Sequence, residues 1–145
     1  MRISDILRHK ETASGADVVT ISPTDTVTTL VAALAQHNVG ALIAVDGDSV
    51  IGIVSERDIV RRIAEHGADV LEKSVSEIMT TSVLSCTSGD SVDSIAETMT
   101  TRRIRHMPVI DDGTLVGIIS IGDVVSSRIR QLEHDRGQLE QYISS

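Results

Sequence analysis

Gly117-Ile118-Ile119-Ser120-Ile121-Gly122-Asp123 echoes an earlier stretch of the same chain, Gly52-Ile53-Val54-Ser55-Glu56-Arg57-Asp58, with Gly, Ile, Ser and Asp at matching places. Working outward from this pair, residues 18–62 fall on residues 83–127 without a gap, at a shift of 65. Asp25 meets Asp90, Val27 meets Val92 and Asp46 meets Asp111. Leu30 for Ile95 and Val39 for Ile104 exchange one apolar residue for another. A duplicated unit of this size implies two similar subdomains about a pseudo-twofold axis, with related sites on either side.

Each copy reads as strand, helix, strand, strand, helix, which makes the fold class α+β. Val18-Val19-Thr20-Ile21 is a β-rich run that stops at Ser22-Pro23, because proline cannot donate to a ladder. Asp25 or Thr26 then caps a helix running to His37, with Val27, Leu30, Val31 and Leu34 on one face. The copy runs from Asp90 or Ser91 to Arg102, with Val92, Ile95 and Met99 as its stripe. Residues 41–45 and 50–54 around Asp46-Gly47 are a hairpin signal, repeated by 107–110 and 115–119 around Asp111-Asp112-Gly113. Ser55 and Ser120 are placed to cap the helices that follow.

Ile3-Ser4-Asp5-Ile6-Leu7 resembles Val75-Ser76-Glu77-Ile78-Met79, so each repeat has a short lead-in helix, with residues 11–17 as a polar loop extending the first. Val125, Ile129, Leu132, Leu139 and Ile143 follow heptad-like spacing, interrupted by Arg136 and weakened by Gly137, and predict a long terminal helix. The chain thus divides into a first repeat with its lead-in (1–67), a second with its lead-in (68–131) and a C-terminal helical extension (132–145).

The 145 residues suit one domain or two small units sharing a core. A net charge of −8 opposes sequence-independent nucleic-acid binding and adhesion to an anionic membrane. Tyr142 is the one aromatic residue, so bases have no stacking platform. Cys86 is alone, which excludes an intramolecular disulfide and a cysteine metal site; matched by Ile21, it reads as a buried structural thiol. Met1-Arg2-Ile3-Ser4-Asp5 has no apolar signal core and no segment reaches membrane-spanning length, which predicts a cytoplasmic protein. His9, His66 and His134 lie in polar stretches without partners at metal spacing, and His37 ends a helix, so no metal is expected. The chain shows no nucleophile–base–orienter set, so no catalytic residues are assigned.

Met107-Pro108-Val109-Ile110-Asp111, followed by Leu115-Val116-Gly117-Ile118-Ile119-Ser120 and Asp123, resembles the CBS domain, the cystathionine β-synthase regulatory repeat. Val50-Ile51-Gly52-Ile53-Val54-Ser55-Glu56-Arg57-Asp58 looks like its partner, and the resemblance covers almost the whole chain. It implies a tandem pair, or Bateman module: two β-α-β-β-α repeats packed with pseudo-twofold symmetry, similar to the small stand-alone CBS-pair proteins of bacteria. Such modules commonly bind AMP, ADP, ATP, NAD(H) or S-adenosylmethionine, frequently form disc-shaped homodimers, and are typically regulatory rather than catalytic.

The resemblance implies that Ser55 and Asp58 hold one ribose and Ser120 and Asp123 another. The chemistry agrees, since an ionised carboxylate accepts from both hydroxyls of a vicinal diol. The same residues also suit helix caps. By resemblance, adenine would lie near Ile21-Ser22-Pro23 or Cys86-Thr87-Ser88, walled by Val39 and Ile104. Arg102-Arg103-Ile104-Arg105-His106 concentrates basic residues in an acidic chain. Arg105 and His106 begin a strand and are the better phosphate candidates; Arg102 and Arg103 also suit a solvated helix end. The first copy has Gly40 and Ala41 there, with Arg57 partly compensating, so the two sites should differ.

The expected function is a regulatory module that senses an adenine nucleotide, AMP favoured, in the inter-repeat cleft and signals to a protein partner. The alternative is a ligand-independent dimerisation and protein-interaction module, supported by the terminal stripe. An undetected nucleotide hydrolase is a further rival.

Overall fold

The computed structural model describes residues 1–14 and 18–144. In the first repeat, β1 (Thr20–Ile21) leads to α2 (Val27–His37), the hairpin β2 (Ala41–Asp46) and β3 (Ser49–Ser55), and α3 (Glu56–His66). The second has α5 (Val92–Arg102), the hairpin β4 (His106–Asp111) and β5 (Thr114–Ser120), and α6 (Ile121–Ser144). Between them lie a 3-10 turn, Ala68–Glu72, and the short α4 (Val75–Ile78); α1 (Ile3–Ser14) precedes both repeats.

Local chemistry sets the boundaries. Thr26 and Ser91 cap α2 and α5 by accepting from the Thr29 and Ser94 amides. Asn38 and Arg103 end them in the left-handed conformation, at equivalent positions. Both hairpins turn through residues of positive φ, Gly47 in one and Asp112-Gly113 in the other. Both also shift register at the same place, Ala44/Val45 and Val109/Ile110, so the repeats share even their irregularity.

Two expectations are revised. Helix α1 continues to Ser14, so residues 11–14 are helical rather than loop, and the remainder of the expected loop, 15–17, lies outside the described residues. The copy of β1 is reduced to a single parallel bridge, Cys86 with Val109, whereas β1 pairs Thr20 with Ile43 and Ile21 with Ala44. Pro108 stands where the first repeat has Ile43, and without an N–H it cannot extend the ladder.

Burial alternates along the ends of β3 and β5, whereas β2 is buried continuously from Ala41 to Ala44 and β4 from Met107 to Val109. Leu42, Ala44 and Val54 join Ile21, Val27, Leu30, Leu34 and Ile59 in one core; Met107, Val109 and Ile119 join Cys86, Val92, Ile95, Met99 and Val124 in the other. The lead-ins complete these cores crosswise. Ile3 and Ile6 of α1 are buried in the second core, and Val75 and Ile78 of α4 in the first. The backbone contacts are equivalent: Ile3 N donates to Asp90 O at 2.9 Å and Val75 N to Asp25 O at 2.8 Å.

Two glycines receive these lead-ins. A Cβ on Gly117 would stand 2.6 Å from Leu7 Cδ2, and one on Gly52 would stand 2.6 Å from Met79 Sδ and 3.0 Å from the Thr80 carbonyl. The Leu7 tip can rotate away, but the Thr80 backbone cannot, because it pairs with Ile53 through two hydrogen bonds of 3.0 and 2.9 Å. Gly52→Ala should therefore destabilise by about 1–3 kcal/mol in urea unfolding and Gly117→Ala by less, with Leu7→Ala relieving the latter variant specifically.

Candidate functional site

The two repeats enclose a cleft of about 660 Å³. One wall comes from the first repeat: Val18, Val19 and residues 37–42, including Val39. The opposite wall comes from the second repeat: His106, residues 116–120 and Asp123, with Leu7 and Lys10 of α1 at the side. The first-repeat wall is mainly apolar, with His37 and Asn38 as its polar side chains, and the second-repeat wall carries the Ser120 hydroxyl, the Asp123 carboxylate and the His106 imidazole.

The strand-to-helix junctions are built alike. Ser120 N donates to Asp123 Oδ2 at 2.8 Å, and Asp123 N donates to Ser120 Oγ at 3.1 Å. Ser55 and Asp58 make the same reciprocal pair at 2.9 and 3.2 Å, with a further bond from Ser55 Oγ to Asp58 Oδ2 at 3.0 Å. These are capping boxes, so each aspartate shares the cap with its serine. The cap uses Oδ2 alone; Oδ1 of neither aspartate takes part in a hydrogen bond among the described residues.

Beyond the cap the two aspartates differ. Lys10 Nζ reaches Asp123 Oδ2 at 2.9 Å and also donates to the Ile118 carbonyl at 2.7 Å. In the first repeat the matching Ile53 is paired by the Thr80 backbone.

His106 is half-buried and lies against the first repeat: a Cβ on Gly40 would be 3.4 Å from its Nε2 and 3.5 Å from Glu56 Oε1. Glycine at that position leaves room for the imidazole of the opposite repeat. Burial depresses the His106 pKa below the ordinary 6.5; Asp123 and Glu56 oppose this, while Lys10 and Arg105 reinforce it.

The remaining expected residues are distributed as follows. Arg105 is exposed just before β4 and does not line the cleft; its carbonyl accepts from Ile121 N at 2.8 Å. Arg103 is the exposed C-cap of α5, and Arg57 is exposed in the first turn of α3; neither lines the cleft. Of the adenine candidates, Val39 lines the cleft. Ile21 and Cys86 are buried in the cores, and Ile104 packs against the second. Ser22 N donates to Asp25, the Pro23 carbonyl accepts from Ser76, and Thr87 N donates to Asp90, so these backbone groups have partners within the fold. Ser88 binds Asp111 through Oγ at 2.6 Å and N at 2.9 Å, which holds that turn carboxyl below its usual pKa. Burial pushes the Cys86 thiol up to about 12, with Asp90 and Asp111 adding to the effect, so it is no nucleophile.

Sequence reasoning missed Val18, Val19, Asn38, Lys10 and Val116. In the sequence Val18 and Val19 read as part of the first strand, which begins only at Thr20. Lys10 carried no signal, because it belongs to no motif and reaches the site only through the crossing of α1.

The CBS-domain family model matches residues 3–65 and 75–130. The mitochondrial CBS domain-containing protein CBSX3 of Arabidopsis thaliana is 34% identical over 146 residues, covering 97% of this chain and 71% of that protein. The crystal structure of the CBS-domain protein ATU1752 from Agrobacterium tumefaciens superposes with a TM-score of 0.82 at 41% identity, covering 88% of this chain and 99% of that one. The CBS domain pair of MJ0100, solved in complex with 5′-methylthioadenosine and S-adenosyl-L-methionine, superposes with a TM-score of 0.76 at 27% identity, covering 92% and 98%. This fold and cleft define a tandem pair of like repeats, and the chain belongs to the CBS-domain family. Among the described residues no helix is long and apolar enough to cross a membrane, and no group of side chains is arranged to hold a metal ion.

The depressed His106 pKa has a definite sign. The unfolded chain takes up this proton more readily than the folded protein, so the stability it confers is complete above about pH 6.5 and is lost as the pH falls through the folded value. Ring-proton NMR should give a His106 midpoint below 6.5, and His106→Gln should flatten the decline of stability on acidification.

Proposed function

We propose that the chain is a regulatory module that binds an adenine nucleotide in the inter-repeat cleft, with AMP the favoured ligand over ATP, ADP and NAD(H), and conveys occupancy to a protein partner. The observation that carries the reading is the convergence of Ser120, Asp123 and His106 on one wall, facing Val18, Val19 and Val39 on the other. The volume, about 660 Å³, is within the range that encloses a small ligand. Asp123 would accept from the ribose diol through Oδ1, the apolar wall would cover the base, and His106 with Arg105 at the strand start would meet phosphate. Ser55 and Asp58 offer a second ribose position, poorer in basic groups because Gly40 and Ala41 replace Arg105 and His106. The relation to MJ0100 supports an adenosine ligand, though it does not choose AMP. The reading includes a cytoplasmic setting and no catalytic step of its own.

The test is calorimetric titration with AMP, ATP, NAD and S-adenosylmethionine. Asp123→Asn keeps a cap acceptor but removes the charge and should weaken binding about tenfold or more. Equal affinity in wild type and in the Asp58→Asn, Asp123→Asn double variant would sink the assigned site.

A second reading has its own observation. Helix α6 leaves Ile129, Leu132, Leu139, Tyr142 and Ile143 between 52% and 81% exposed, an apolar stripe suited to self-association or docking. Removing the residues after Arg130 should lower the mass seen by light scattering while leaving nucleotide affinity unchanged; an unaltered mass would remove the stripe from dimer formation.

A further inference from the structure

The carboxylate assigned to the ribose already has a cation on it. Lys10 Nζ sits 2.9 Å from Asp123 Oδ2 and 2.7 Å from the Ile118 carbonyl, and its side chain lines the same cleft as Ser120 and His106. The placement follows from the fold. Leu7 is seated on Gly117, Ile3 and Ile6 are buried below it, and Lys10 is about one helical turn further along α1. In the other repeat, after Met79 is seated on Gly52, the chain leaves its helix and Thr80 pairs Ile53 through its backbone. A backbone pairing in one half is thus replaced in the other by a charged side chain.

We propose that Lys10 is a built-in competitor at this site: it holds Asp123 when the cleft is empty, and a ribonucleoside's vicinal diol must displace it. This rests on the reading of Asp123 as the ribose carboxylate. The pair is partly exposed, with relative side-chain areas of 36% and 22%, so the competition is mild and reversible. The α1 backbone stays in place, since its buried isoleucines anchor it, and the side chain alone swings out. The device is confined to the second repeat. Asp58 has no ion pair among the described residues, so a ligand at Ser55 and Asp58 meets no such competitor.

Adenosine is the probe, because it offers the diol without a phosphate that Lys10 could attract. Lys10→Met should bind adenosine about two- to fivefold more tightly than wild type, with Lys10→Arg close to wild type. Raising the salt concentration should tighten adenosine binding to wild type by screening the competing pair, and should leave Lys10→Met unmoved. A second measurement needs no variant. Lys10 and Lys73 are the chain's two lysines, so acetylation of Lys10 relative to Lys73, read by mass spectrometry, should rise when saturating adenosine is present. Binding lost in Asp123→Asn, with Lys10→Met no tighter than wild type and acetylation unchanged, overturns the competitor alone. Adenosine and AMP binding no variant, or binding Asp123→Asn as well as wild type, overturns the ribose reading and the competitor with it.

Discussion

The rest of the structure depends on two places where a strand has no side chain. Gly52 and Gly117 leave a bare strip on β3 and β5, and Met79 and Leu7 press onto it. Because the lead-ins are seated there, each core is completed by the lead-in that precedes the opposite repeat: α1 under the second sheet, α4 under the first. Two small sheets, neither with a large core of its own, are thereby tied into one body. The equivalent amide contacts of Ile3 and Val75 show how closely the pseudo-symmetry is kept at this point.

The symmetry then breaks where function would need it to. After Met79 the chain is extended and adds backbone pairing to Ile53; after Leu7 it remains helical and sends Lys10 to the Ile118 carbonyl and Asp123. His106 crosses to Gly40 of the first repeat, a contact that the reverse pair, Ala41 and Arg105, cannot make. A duplicated chain has therefore produced two unlike half-sites. One is rich in titratable groups within reach of each other: His106, Asp123, Glu56, Lys10 and Arg105. The other has a bare capping box. Burial outweighs the two carboxylates in setting the His106 imidazole toward its neutral form.

Much of the local architecture was legible beforehand, because it is written in residues with short-range consequences. Thr26, Ser91 and Ser55 cap helices; Gly47 and Asp112-Gly113 turn the hairpins; the apolar stripes of α2 and α5 face the cores, except Val31, which is exposed. The shortened copy of β1 was also written there, in Pro108, but its effect depends on which strand lies beside it. Capping at both junctions is reciprocal, so each aspartate is part of the cap along with its serine. What remains for a ligand is the second carboxylate oxygen.

The sequence by itself determined the duplication, the α+β repeat, the capped junctions at Ser55 and Ser120, and the charge difference between Gly40-Ala41 and Arg105-His106. Each follows from spacing or from a residue's own backbone chemistry. Only the tertiary structure decided that Val18, Val19 and Val39 face Ser120 and Asp123, that Ile21 and Cys86 belong to cores, and that Lys10 stands on Asp123. Those are contacts between residues as much as 113 positions apart, set by which lead-in seats on which glycine, and no local pattern in the chain encodes that crossing.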